Sequence, residues 1–177
     1  MSHVTITDFV REAHAHSEEA LRRFDAQVAL LEDVNRTFSL ANDALTHLPE
    51  SQILVPLFFL QAHATFLTTA HLSTSGQVAS AYGAMRSLLE YGAYAAHVVR
   101  HPDCARLWLD RHQSASGRKL VRDAFHPNRL AATIKHLDSS LWLEYEHLYE
   151  RAIDFGAHPN ERALSGRIDL SRSESNV

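Results

Sequence analysis

Residues 77–100 read QVASAYGAMRSLLEYGAYAAHVVR, and this stretch decides the fold. Between Gln77 and Val99 the only charged side chains are Arg86 and Glu90. A helix that is apolar nearly all round has to be enclosed by other helices. The stretch therefore reads as the buried central helix of an all-α bundle.

Working outward, Ser73-Thr74-Ser75-Gly76 is a clear break before the central helix. Another helix precedes it, starting around Pro56, a residue suited to a first turn. At the N-terminus, Thr7 or Asp8 is read as a cap. Phe9, Val10, Ala13, Ala20, Leu21, Phe24, Val28 and Leu31 then recur at helical spacing, continuing with a bend through Phe38, Leu40 and Leu45 to Pro49. After His101-Pro102-Asp103 a fourth helix begins, broken at Ser114–Gly117. A short helix covers Arg129–Leu137, and a final one runs from Ser140 to Gly156 with Asp138, Ser139 and Ser140 as caps. The tripeptide His-Pro-Asn occurs at 126–128 and 158–160, both read as helix ends. No segment alternates with period two, so no sheet is expected. The sum is a single-domain helical bundle of about six helices over residues 1–165, with residues 166–177 as a polar, disordered tail.

Composition agrees with that class. The 177 residues are 45% hydrophobic and 21% charged, with 6 Gly and 5 Pro, too few turn residues for a β-sandwich. A single cysteine, Cys104, excludes an intrachain disulfide framework and a thiolate cluster for zinc. With no signal peptide visible, a cytoplasmic location is expected. Ile53–Leu72 is long enough for a membrane span, and no charge occurs from Ser51 to Met85. Yet Pro56, Gln61, His63 and His71 interrupt it, and no Lys or Arg flanks it closely. It reads as a buried helix, not a membrane segment.

The net charge of −4 is unevenly spread. Residues 1–50 carry 4 basic and 9 acidic side chains, whereas residues 100–135 carry 8 basic against 3 acidic. Arg118, Lys119, Arg122 and Arg129 in the second segment are candidate phosphate contacts. The alternative is a solvated face pairing with the acidic N-terminal region.

On the central helix, Arg86 and Glu90 are four apart and share a face with Tyr82 and His97. Charges on an apolar helix need partners, so these four form a candidate buried polar cluster, either a register-fixing ion pair or a ligand site. No metal site is expected despite 13 histidines. Glu144-x-x-His147 matches half of a di-iron motif, and no second copy occurs. No phosphate-binding glycine loop, dinucleotide fingerprint or Gly-x-Ser-x-Gly is present, so no cofactor is expected.

The last helix carries Leu141, Tyr145, Leu148, Ala152 and Phe155 on one apolar stripe, a candidate homodimer surface. Beside it, Arg151 and His158 enclose six residues. An Arg, four to six residues and a His near a helix end resemble the motif of the HEPN superfamily, many of whose members are metal-independent ribonucleases in toxin–antitoxin and phage-defence systems. That resemblance implies that His158 acts as general acid/base and that Arg151 stabilises charge on the scissile phosphate. Ala152 stands where that family usually has a polar residue. Over Ile53–Gly166 the chain is also similar to a group of uncharacterised bacterial helical proteins. The similarity rests on Ala84-Met85-Arg86-Ser87-Leu88-Leu89-Glu90, the His-Pro-Asp turn and the late Ala-His-Pro-Asn. It implies that Arg86, Glu90 and His158 belong together, without supplying an activity. The leading expectation is a non-catalytic interaction module for RNA or a partner protein. Beside it stand a ribonuclease using Arg151 and His158, and a bundle binding a metal or small ligand at Arg86, Glu90 and His97.

Overall fold

The computed structural model describes residues 4–45, 48–49 and 52–157. Among them are eight α-helices and no strand: α1 (Ile6–Arg23), α2 (Asp25–Leu45), α3 (Leu54–Thr74), α4 (Val78–Arg100), α5 (Asp103–Leu109), α6 (Ala115–Ala124), α7 (Pro127–Leu137) and α8 (Ser139–Ala152). A π-helical turn, Ile153–Ala157, continues α8. The stretch read as continuous through Leu31, with a bend beyond it, is instead broken at Phe24 into α1 and α2, and the expected fourth helix divides into α5 and α6. The tail after residue 165 lies outside the described residues.

Local chemistry sets the helix ends. The α1 cap is Thr5, not Thr7 or Asp8: its hydroxyl accepts from the Asp8 amide at 3.1 Å, and the Asp8 carboxylate accepts from the Thr5 amide at 3.3 Å. This reciprocal pair satisfies two otherwise orphaned donors. Gly76, at φ 78°, takes the left-handed conformation that lets α3 turn back into α4. His126-Pro127-Asn128 starts a helix instead of ending one. His126 accepts from the Asn128 amide through its ring, and Pro127 fills the first turn, where no amide is needed. Asp138 caps α8, accepting from Ser140 at 2.7 Å and Leu141 at 3.2 Å.

The α3–α4 hairpin is the frame. α5, α7, α8 and the π turn all pack on α4. The core gathers at one end of this hairpin, where Leu54, Val55 and Phe58 of α3 meet Ala93 and Val98 of α4, together with Ala105, Val121, Phe125, Leu130 and Ile134. At its centre four rings contact one another. Tyr94 lies 5.6 Å from Phe58, 5.4 Å from Trp108 and 4.9 Å from Phe125, all in inclined geometry that suits aromatic quadrupoles.

Enclosure of the hairpin is less complete than its composition predicts. In α4 only Ala81, Ala93, His97 and Val98 are buried, and most other positions are half-covered. α3 is buried toward α4, and toward α2 through Phe38, whose ring stacks on His63 and meets Phe59 and Phe66. α1 also packs on α3, and Leu67 and His71 border a groove with Leu21, Val28 and Leu31. α1 and α2 contain no buried residue at all. None of the described helices is long and apolar enough to cross a membrane.

At the other end of the hairpin the π turn approaches α4 so closely that Gly156 has no room for a side chain. A Cβ there would meet the Ala79 carbonyl, lie 2.6 Å from the Tyr82 Cβ and 2.7 Å from the Gly83 amide. Since two of these obstacles are backbone, relief requires moving a helix. Gly92, by contrast, has nothing within 4 Å of the same position. Gly156→Ala is therefore expected to destabilise the protein by about 3 kcal/mol. Gly92→Ala should stabilise it by up to about 1 kcal/mol through helix propensity. Urea denaturation of the two variants, followed by far-UV circular dichroism, measures both.

Candidate functional site

A cleft of about 550 Å³ opens between α4 and the α5–α8 segment. α4 presents Arg86, Glu90 and Tyr94 to it at four-residue intervals, one helix face. α5 and the turn after it supply Trp108 and Arg111, and α6 supplies Arg118 and Arg122, again four apart. α8 closes the wall with Trp142, Tyr145 and Tyr149. Those three are spaced three and four residues apart, so their rings form a ladder. Trp142 and Tyr145 stack at 5.8 Å and 27°, Tyr145 and Tyr149 at 5.7 Å and 14°.

The Arg86–Glu90 ion pair lies in the wall of this cleft, with Nε to Oε1 at 2.9 Å. The side chains are 29% and 37% exposed, so the pair is half-buried and in reach of solvent or a ligand. The Tyr149 hydroxyl donates to the same Oε1 at 2.9 Å, and the Arg86 guanidinium lies 5.4 Å from the Tyr149 ring centre. No hydrogen bond from a described residue reaches Glu90 Oε2. Burial opposes the Arg86 charge, but the bonds to Glu90 and Tyr149 outweigh it and raise its pKa. Burial first pushes the phenols of Tyr94, Tyr145 and Tyr149 up, with Glu90 next for Tyr94 and Tyr149, and Tyr149 next for Tyr145, so all three stay neutral. Chemically the cleft offers cations at its rim, flat apolar rings on its walls and one carboxylate with an open oxygen.

The four residues read as a single polar cluster separate into three sites. Tyr82 packs on Phe155 of the π turn, with ring centres 5.2 Å apart. His97 lies on the same face of α4 but two turns further along it, where it borders a second cavity with Arg100, His101, Cys104, Arg129 and His136. The separation is axial: seven residues advance about 10 Å along the helix, and α7 packs on α4 at that level. Of the candidate phosphate contacts, Arg118 and Arg122 line the cleft, Arg129 lines the second cavity, and Lys119 is exposed on α6. Arg151 is exposed at the end of α8, and His158 lies outside the described residues. The ion pairs among the described residues join positions three or four apart, so none links the acidic N-terminal helices to the 100–135 segment.

In the second cavity His97 is buried, with Nδ1 2.8 Å from the Thr133 hydroxyl. That hydroxyl donates to the Arg129 carbonyl at 3.1 Å, so the network assigns the proton to His97 Nδ1. Nε2 then accepts from the Cys104 thiol at 3.7 Å. Burial, reinforced by His101, lowers the His97 pKa, and burial raises that of Cys104. Both groups are thus neutral at pH 7, the reverse of an activated thiolate–imidazolium pair. Among the described residues no three His, Cys, Asp or Glu side chains are placed to hold a metal ion.

Sequence reasoning missed Tyr94, Trp108, Arg111 and Phe125 as neighbours of the ion pair, because they converge from three helices. The α8 ladder was visible as spacing but was read as a dimer stripe. Comparisons with protein-family models, curated proteins and solved structures find no match to this chain.

The His97 shift has a stability consequence. Because its folded pKa lies below the ordinary 6.5, the unfolded chain binds the proton first on acidification. Stability is complete above pH 6.5 and falls as pH drops below it. Thermal melts between pH 7.5 and 5 should show a decline that is shallower in His97→Asn than in wild type. Equal slopes would exclude His97 as the source.

Proposed function

We propose that this protein is a binding bundle whose α4–α8 cleft takes a nucleotide unit, free or within single-stranded RNA. One observation carries the reading: Arg86, Arg111, Arg118 and Arg122 converge on a cleft walled by a ladder of aromatic rings. Arginines at the rim match phosphate in charge and fork geometry. Ring faces on the wall match the π-face that every base presents. Glu90 Oε2 accepts from an amino or imino group of a base. The expected interaction module and the expected ligand bundle thereby become one proposal, centred on Arg86 and Glu90 without His97.

Both tryptophans of the chain, Trp108 and Trp142, line the cleft, so their fluorescence reports its occupancy directly. Titration with AMP, GMP, UMP and a short single-stranded RNA should quench emission saturably, and inorganic phosphate should do so weakly. Arg118→Ala and Arg122→Ala are each expected to weaken binding by about tenfold, the loss of one charge-assisted contact. Binding that is equal for phosphate and nucleotide, or indifferent to both substitutions, rejects the nucleotide reading.

A second reading is the ribonuclease implied by the HEPN resemblance, with Arg151 and His158 in its site. The exposure of Arg151 beside the π turn favours it, since such turns are frequent at functional positions. Cleavage of RNA by wild type that is lost in both Arg151→Ala and His158→Ala supports this reading. Identical behaviour of all three proteins ends it.

A further inference from the structure

The second cavity, of about 580 Å³, lies where the end of α4, the turn into α5 and one face of α7 meet. Its floor is neutral, because His97, Cys104 and Thr133 satisfy one another there. Its rim is basic. Arg100 comes from the last turn of α4 and His101 from the turn after it. Arg129 and His136 stand seven residues apart on one face of α7. Asp103 is the single carboxylate among the lining residues. The ion pairs among the described residues include neither arginine nor Asp103, so two guanidinium charges face one carboxylate with no salt bridge between them.

Two of these placements follow from the helices themselves. Arg100 and His136 occupy C-terminal turns, where the helix dipole favours a cation. Arg100 donates to His136 Nε2, which leaves the His136 proton on Nδ1. Arg129 has no such local reason. It stands in the first turn of α7, where the dipole opposes a positive charge and no acidic side chain accompanies it. The His101 ring lies 4.6 Å from that of His97. Burial first, then the charges of His101 and Arg129, hold His97 in its neutral form. The cavity thus gathers basic groups that the described residues do not neutralise.

The geometry points to a phosphate-binding site in this cavity, separate from the α4–α8 cleft, with Arg100 and Arg129 as charged contacts and His101 and His136 as further donors. A dianion supplies the counter-charge that Arg129 lacks. An imidazole keeps an N–H in both protonation states, so neither histidine loses its donor as pH rises. Shape selects phosphate over carboxylate. One arginine fork satisfies a planar carboxylate, whereas donors arriving from three elements suit a tetrahedral group with acceptors on every side. No tryptophan or tyrosine lines the cavity, so there is no wall for a base as there is in the cleft. What it recognises is the phosphate group itself, as the free ion or as the terminal ester of a larger molecule.

Cys104 lines the cavity, is half-buried and is the only cysteine of the chain, so its alkylation reports occupancy. Labelling rates with the neutral reagent N-ethylmaleimide are compared with and without about 10 mM phosphate in the same protein, at constant pH and ionic strength. Phosphate is expected to slow wild-type labelling at least fivefold. Arg100→Ala and Arg129→Ala, both at exposed positions, should each raise the half-protecting concentration about tenfold, the loss of one charge-assisted contact. Lys119→Ala, which removes the same charge outside the cavity, should leave it unchanged. Trp108 and Trp142 line the cleft and not this cavity, so a failure of nucleotide binding in the cleft is read separately. Protection by glycerol 3-phosphate at lower concentration than by inorganic phosphate identifies an esterified phosphate, and the reverse order identifies the free ion; both support the inference. Equal labelling of wild type with and without phosphate overturns it. So does protection that survives both arginine substitutions, or that succinate reproduces at the same concentration.

Discussion

The contact between the π turn and α4 holds the architecture in register. Where Gly156 lies against Ala79, Tyr82 and Gly83, two backbones meet with no side chain between them. Such a contact permits one axial position and no neighbouring one, because a shift by a residue along either chain brings a Cβ into backbone. α8 precedes this contact directly, so its placement along α4 follows from it. With the turn seated, Tyr149 stands opposite Glu90, Tyr145 and Trp142 follow at one-turn intervals, and the aromatic wall faces the arginines of α6. The π conformation belongs to the same constraint. Its wider turn changes the phase of the chain relative to α8 and brings Phe155 onto Tyr82.

The polar groups on one face of α4 differ in their surroundings along the helix axis. Toward α8 the helix presents an ion pair that solvent still reaches, with a tyrosine sharing one carboxylate oxygen. A pair in that position contributes little to stability, since its charges keep part of their hydration. Its value is directional, holding the Glu90 carboxylate in a fixed pose inside a cationic cleft. Toward α7 the same helix presents a dry His97, neutral and tied to Thr133 and Cys104. There the polar atoms satisfy one another, and the cost of burying them is offset locally. One stretch of this face stays open to solvent, and the other is closed by α7.

Much of the fold was legible because it depends on local signals. The central helix, the Gly76 turn and the Asp138 cap follow from composition and punctuation that act within a few residues. Thr5 was missed as a cap because Thr7 and Asp8 carry the same chemistry, and only the Thr5–Asp8 reciprocity distinguishes them. His126-Pro127 was read as an end, although proline is as much at home in a first turn. The site was legible only in part. The Arg86–Glu90 pairing is intrahelical and could be read at four-residue spacing. His97 could not be separated from that pair by periodicity, because it shares their face and only the packing of α7 two turns further along α4 sets it apart. The meeting of Trp108, Arg111 and Phe125 with that pair depends on three interhelical turns whose angles no local pattern encodes.

The absence of any buried residue in α1 and α2 has a consequence for the energy landscape of the chain. Residues that bury little contribute little to the cooperative unfolding unit, so these two helices belong to its low-stability end. Their principal anchor is the Phe38 ring against Phe59, His63 and Phe66, together with the Asn35–His63 hydrogen bond, at 2.7 Å. α2 reaches the core through the partly buried Leu45, and neither helix lines the cleft. Amide exchange in this molecule is therefore layered along the chain, with protons in residues 6–45 leaving through local opening and those around Tyr94 and Phe125 only through global unfolding.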